Sequence, residues 1–175
     1  MFNCRMCTDD IASILGVSTN RRQAASKRRS KKPQAEKKVF NPRSPMEVTS
    51  IVKNWEGYVH PRAREYFTSH EGLIDALTNI GKNINQGEDP ILGETDDCVF
   101  WYGPVSDSRP AQAVLELPDG SDKKPTFVNR LLAYVFATDE SFEALMKLPK
   151  APFVMACGDQ LCVNVKHISA ESSSN

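Results

Sequence analysis

Cys157-Gly-Asp-Gln-Leu-Cys162-Val-Asn-Val-Lys-His167 places two thiols and an imidazole within eleven residues. Cysteines five apart, with a histidine five further on, offer three soft or borderline ligands from one short loop. Zinc binds four such ligands in a tetrahedron of thiolate and imidazole donors. Outside the loop, Cys98 is the only other cysteine in the apolar part of the chain, beside Phe100, Trp101 and Tyr102. A Cys3His site from Cys98, Cys157, Cys162 and His167 is therefore expected to hold one zinc ion. Four protein ligands leave no open position, so such a metal is structural rather than catalytic, and it would organise a loop-rich segment with little core of its own. The competing reading is that these are isolated buried cysteines packed as small hydrophobes, with His167 on the surface.

The elements that must position these residues follow from hydrophobic periodicity. Ser44-Pro45-Met46-Glu47 reads as an N-cap, a proline at the first helical position and an acid in the first turn. Val48, Ile51, Val52 and Trp55 then share one face, predicting a helix over about 45–56. Gly57 and Pro61 interrupt it. Further helices are expected over about Arg62–Phe67 and His70–Ile84, the latter with Leu73, Ile74, Ala76, Leu77 and Ile80 inward. From Asp97 the pattern changes. CVFWYGPV and AQAVLELP are strand-like, with PDGSDKKP as a turn between strands. Phe127–Ala137 reads as a strand end running into a helix, Asp139–Leu148 as helix and Ala151–Ala156 as a strand leading into the Cys157 loop. The fold class is α+β: N-terminal helices followed by a zinc-stabilised β/α core. The expected division is an arm over 1–39 and one domain over 40–175, helical over 45–84 and metal-bound over 97–170.

CGDQLCVNVKHIS resembles the zinc-binding core of the His-Cys box homing endonucleases, within the wider His-Me finger (ββα-metal) nucleases. That pattern is Cys-x4-Cys, a Val or His, Asn-Pro-x-His-Leu, preceded at a distance by a cysteine near a Trp-Gly pair. Here Cys98 with Trp101 and Gly103 supplies the distant part; Cys157, Cys162, Asn164, His167 and Ile168 supply the rest. The resemblance covers roughly 97–170 and implies a His-Me finger-like core around the zinc. The amino-terminal DNA-binding domain of Smad proteins is similar in fold and cleaves nothing, so the fold alone does not imply an enzyme.

The resemblance also indicates where nuclease chemistry should sit. In the family a histidine two residues before the first loop cysteine activates the attacking water; that position is Met155, whose thioether accepts no proton at any useful pH. An asparagine in the helix after the ligand histidine holds catalytic magnesium. The corresponding stretch runs Ile168-Ser-Ala-Glu-Ser-Ser-Ser-Asn175, where Asn175 is expected to fray and Glu171 to be solvated. His60 before Pro61 and His70 at a helix start read as surface or capping residues. The expectation is a degenerate nuclease that is not an enzyme; an active magnesium-dependent nuclease is the least favoured reading.

Charge suggests partners. Residues 1–38 carry ten Lys/Arg and three Asp/Glu, a balance of +7, which leaves −7 on the remainder of a chain of net charge zero. Arg21, Arg22, Lys27, Arg28, Arg29, Lys31, Lys32, Lys37 and Lys38 form a basic arm with almost nothing to bury. It is expected to lack order on its own and to contact DNA or RNA phosphates, and its clusters also have the look of a nuclear import signal. Arg109, Lys123, Lys124 and Arg130 are candidate contacts on the acidic body, which would otherwise repel phosphates. Upstream, Ile11, Ile14 and Leu15 recur at helical spacing within Asp9–Val17, a short amphipathic segment suited to docking on a partner or on the body. Cys4-Arg-Met-Cys7 is an isolated Cys-x-x-Cys with no second pair near it.

No run approaches the roughly 18 apolar residues of a membrane span, and MFNCRMCTDDIASILGV lacks the features of a secretory signal or of an acid-poor mitochondrial presequence. The cysteines are thus expected in a reducing compartment. Together these point to a non-catalytic, zinc-binding subunit or scaffold of a nucleic-acid-associated complex, nuclear or alternatively mitochondrial, with protein partners and no membrane or small-molecule substrate. A pure protein-interaction scaffold is the alternative.

Overall fold

The structure, a computed structural model, describes residues 39–170 apart from positions 68, 110, 120, 121 and 150. The basic arm, Asp9–Val17, Cys4, Cys7, Glu171 and Asn175 lie outside the described residues.

Helix α1 spans Pro45–Glu56. Ser44 Oγ accepts from Glu47 N at 3.3 Å, while Glu47 Oε2 accepts from Ser44 N at 2.8 Å. This reciprocal capping box satisfies two backbone donors that the first turn would otherwise leave unpaired. Its buried face is Val48, Val52 and Trp55. Helix α2 spans Pro61–Tyr66, capped by His60, and α3 spans His70–Lys82, capped by Ser69 through Gly72 N at 3.1 Å. Helix α3 stops two residues earlier than its periodicity suggests. Arg43 accounts for this end: its guanidinium donates to Gly81 O at 3.1 Å and Ile84 O at 3.3 Å, and also to Glu88 O.

Strands β1 (Val114–Asp119) and β2 (Asp122–Phe127) form one antiparallel hairpin, in register from Val114↔Phe127 to Asp119↔Asp122. The connection is thus tighter than the eight-residue PDGSDKKP turn expected; Lys123, Lys124 and Pro125 belong to the ladder. β2 runs without a break into α4 (Val128–Phe136), and Thr138 caps α5 (Asp139–Met146). A short 3-10 turn follows at Val165–His167. The content is α+β.

Two expected strands are not ladder strands. CVFWYGPV makes only the isolated bridges Phe100↔Cys162 and Val105↔Ala113, and Ala151–Ala156 only Met155↔Ile168. The first is broken by its own sequence. At Gly103 the chain turns back over Trp101, whose Nε1 donates to Pro104 O at 2.7 Å; a Cβ at Gly103 would lie 2.5 Å from the Trp101 ring. No other residue type fits that close approach.

One core joins both halves of the sequence. Val48, Val52 and Trp55 of α1 meet Leu73, Leu77 and Ile80 of α3, Leu115 and Leu117 of β1, Leu131, Leu132 and Val135 of α4, and Val99, Trp101, Val163 and Val165. At roughly 1.5–3 kcal/mol for each large aliphatic side chain removed from water, this packing holds the segments around the Cys157 loop against the helices. Among the described residues no helix is long and apolar enough to cross a membrane.

Candidate metal centre

The Cys157 loop is irregular backbone held by short local bonds. Gly158 adopts φ +84°, the left-handed region that favours glycine, and its N–H donates to Met155 O at 2.8 Å. Asp159 closes the far side: its Oδ1 accepts from Leu161 N at 2.9 Å and its carbonyl from Cys162 N at 3.2 Å. These two bonds turn Cys157 and Cys162 toward one another.

Cys98 arrives from 59 residues upstream in sequence because residues 99–101 lie antiparallel to 161–163. Val163 N donates to Val99 O and Trp101 N to Leu161 O, both at 2.8 Å. The fourth residue comes from the 3-10 turn, which Asn164 builds. Its Oδ1 accepts from Lys166 N at 3.0 Å and its carbonyl from His167 N at 3.0 Å, while its Nδ2 donates to Asp97 O at 2.8 Å. At 3% exposure this amide is buried and satisfied at both ends. It pins the His167 turn to the residue preceding Cys98.

Three sulfurs and one imidazole nitrogen result, all within 4.8 Å of one another. His167 Nδ1 lies 3.3 Å from Cys162 Sγ and 3.8 Å from Cys98 Sγ. With Zn–S near 2.3 Å and Zn–N near 2.0–2.1 Å, a tetrahedral site has donor–donor edges of about 3.6–3.8 Å, so the set needs only small side-chain adjustment. His167 Nε2 donates to Asp96 O at 2.9 Å. That bond fixes the ring orientation and leaves Nδ1 as the donor facing the thiols, the usual outer-shell support of a ligating histidine. The four residues could hold a metal ion.

Without a cation the cluster must share protons. Burial and the neighbouring Cys157 charge push the Cys98 thiol up to about 11. The hydrogen bond to Cys157, with burial, raises Cys162 above its ordinary value. Cys157 is held down to about 4, first by the hydrogen bond from Cys162 and further by that from His167, against a burial penalty. His167 in turn is raised, chiefly by its hydrogen bond to Cys157. One thiolate therefore lies among groups that keep their protons, and a dication would displace them.

Met155 is 1% exposed. Its Sδ lies 3.8 Å from Asn129 Nδ2, which donates to Phe153 O at 2.8 Å. This position faces the core. Arg130, a candidate phosphate contact, is otherwise engaged: its guanidinium donates to Pro149 O at 3.1 Å and Ala151 O at 2.8 Å and stacks on Phe153 at 4.4 Å. It anchors the segment that enters the Cys157 loop. Arg109 and Lys124 are exposed. His60 caps α2 and lies 3.4 Å from Asp139, and His70 opens α3 with Glu56 at 3.1 Å; neither approaches the cluster. The supporting roles of Asp96 and Asp97 were not legible in the sequence, because each acts through a backbone carbonyl that every residue type carries.

Compared with protein-family models, curated proteins and solved structures, the chain matches none.

Proposed function

We propose that this chain is a non-catalytic zinc module of the His-Me finger type, acting as a subunit or scaffold of a nucleic-acid-associated complex in the nucleus, with its basic arm on DNA or RNA. The observation that carries this reading is the convergence of Cys98, Cys157, Cys162 and His167 within 4.8 Å, with His167 oriented by the Asp96 carbonyl. Three thiolates and one imidazole suit zinc better than magnesium or calcium, which prefer oxygen ligands, and four protein donors leave no position for a reacting water. Met155 adds to the case against cleavage: it is a thioether packed inside the core, where the family places a water-activating histidine. The zinc serves as architecture, joining residues 98 and 157–167 across the sequence.

Elemental analysis of the purified protein, paired with a magnesium-dependent cleavage assay, tests the proposal. One zinc per chain and no cleavage of DNA or RNA are expected, with zinc lost in Cys157→Ser and His167→Ala. Cleavage by the unaltered chain, or full zinc content in both variants, would overturn it. A scaffold that touches only proteins is the second reading. It is favoured by the −7 balance of residues 39–175, which opposes phosphate contact by the body.

A further inference from the structure

The residues just before α1 form a strap tied to the end of α3. Asn41 N donates to Asn85 Oδ1 at 2.7 Å, and the Asn41 carbonyl accepts from Gln86 N at 2.8 Å. These bonds set Phe40 against Tyr102, with ring centres 4.7 Å apart and planes 23° from parallel. Tyr102 is itself fixed: its N–H donates to Asn83 O at 2.9 Å, and its hydroxyl accepts from Asn85 Nδ2 at 3.1 Å. Phe40 has one ring face on Tyr102 and is still 38% exposed, the one exposed phenylalanine among the described residues. Neither ring belongs to the buried core. The outcome is a stacked aromatic pair held at the surface, which a further planar group could extend.

Charge at this corner favours an anion. From Lys37 to Met46 the chain carries Lys37, Lys38 and Arg43 and no acid. The exposed Lys82 directly precedes Asn83, whose carbonyl holds Tyr102. Glu47, the first acid after the strap, is taken up by Ser44 N at 2.8 Å and Gln86 Nε2 at 2.5 Å. Lys38 is two residues from Phe40, so connectivity alone keeps their Cα atoms within about 7 Å. An exposed aromatic ring beside cations is the combination that holds single strands: the ring stacks on a base while the cations meet the backbone. In a duplex the base faces already stack on one another, and a phenyl ring cannot reach them. We infer that Phe40, backed by Tyr102, is a stacking platform for an unpaired base of a single-stranded nucleic acid, with the adjoining phosphates on Lys37 and Lys38. The inference rests on the nucleic-acid contact proposed for the arm and adds its strandedness.

Fluorescence anisotropy of the full-length protein with short labelled RNA and DNA single strands, and with the matching DNA duplex, tests this. At equal salt at least one single strand should bind about ten-fold or more tightly than the duplex. Phe40→Leu keeps apolar cover over Tyr102 but removes the aromatic face. It should weaken single-strand binding by about 5–100-fold with the salt slope, melting temperature and metal content unchanged. Phe40→Trp should retain the binding. Lys37→Gln with Lys38→Gln should instead lower the log–log salt slope by about 0.7 for each phosphate released. A strand of abasic residues should bind the unaltered protein as weakly as Phe40→Leu binds the intact strand, and lose nothing more in that variant. A preference between RNA and DNA strands would identify the strand held and support the platform either way. Equal affinity for single strand and duplex, or full binding by Phe40→Leu, would overturn the inference while binding by the arm stands. So would a Phe40→Leu loss of the same size on the duplex, which would assign Phe40 to packing of the strap. Failure to bind any of these nucleic acids would overturn both.

Discussion

Around the Cys157 loop, individual residues divide into donors and the groups that aim them. Asn164 is the clearest of the second kind, because its side chain joins the His167 turn to the Cys98 segment. Asn164→Ala would leave the Asp97 carbonyl and Lys166 N–H without their partner; with Asp97 exposed and Lys166 half-buried, water can replace it, so the cost should be about 1 kcal/mol, that of an ordinary hydrogen bond. Metal affinity should fall about 10–100-fold, as for other outer-shell losses, with all four donors still present; competition with a chromogenic chelator measures it. The proton inventory yields a second expectation. At pH 7 Cys98, pushed up to about 11, and Cys162, raised further by Cys157 and burial, are thiols, whereas Cys157, near 4, is already a thiolate. Uptake of the proposed metal must then expel two thiol protons, together with whatever proton His167, raised by its bond to Cys157, holds on the nitrogen facing the sulfurs. Affinity should rise with pH and weaken as pH falls, more steeply below about 4 where Cys157 also takes a proton. Titration calorimetry in buffers of different ionisation enthalpy counts the released protons.

Among the elements, those coded by short-range signals were legible. Ser44, Pro45 and Glu47 announce α1, and the capping box forms as those residue types require. Ser44→Ala should cost about 1 kcal/mol of stability, visible as a lower denaturation midpoint with unchanged slope. The hairpin was legible in part: β1 and the junction with α4 at Phe127 were, whereas Asp122–Pro125 of β2 read as turn and are ladder. The 98–105 and 151–156 segments read as strands and are not, because apolar alternation marks a buried extended segment without saying whether a neighbour completes a ladder. Trp101 folding over Gly103 and the single Met155↔Ile168 bridge end those pairings early. Arg130 differs from expectation for a related reason. A guanidinium serves phosphate and carbonyl alike, and only the fold brings Pro149, Ala151 and Phe153 to it.

For the molecule as a whole, the common core makes the Cys157 loop and the helices interdependent. Val99, Trp101, Val163 and Val165 pack in the cluster that includes α1 and α3. Stripping the proposed metal with a chelator should therefore lower the melting temperature of the body, not merely loosen residues 157–167; calorimetry with and without zinc tests this. The proposed phosphate binding by the arm belongs to the same scale. Deleting residues 1–38 should flatten the salt dependence of nucleic-acid binding by about 0.9 in log–log slope for each duplex phosphate the arm had neutralised, and an unchanged slope would remove the arm from that role.

Residue types and spacing alone identified four candidate donors, the caps of the first helix and a charge balance of +7 over 1–38 against −7 over 39–175. These depend on residue type and near spacing, which chain connectivity transmits directly. Tertiary structure decided whether Cys98 could join a loop 59 residues away, which nitrogen of His167 faces the sulfurs, and whether Arg130 was free. Each of those depends on a backbone carbonyl or a neighbour distant in sequence, and carbonyls are common to every residue. The Cys3His reading needed the bonds joining 99–101 to 161–163 before four matching side chains became one cluster.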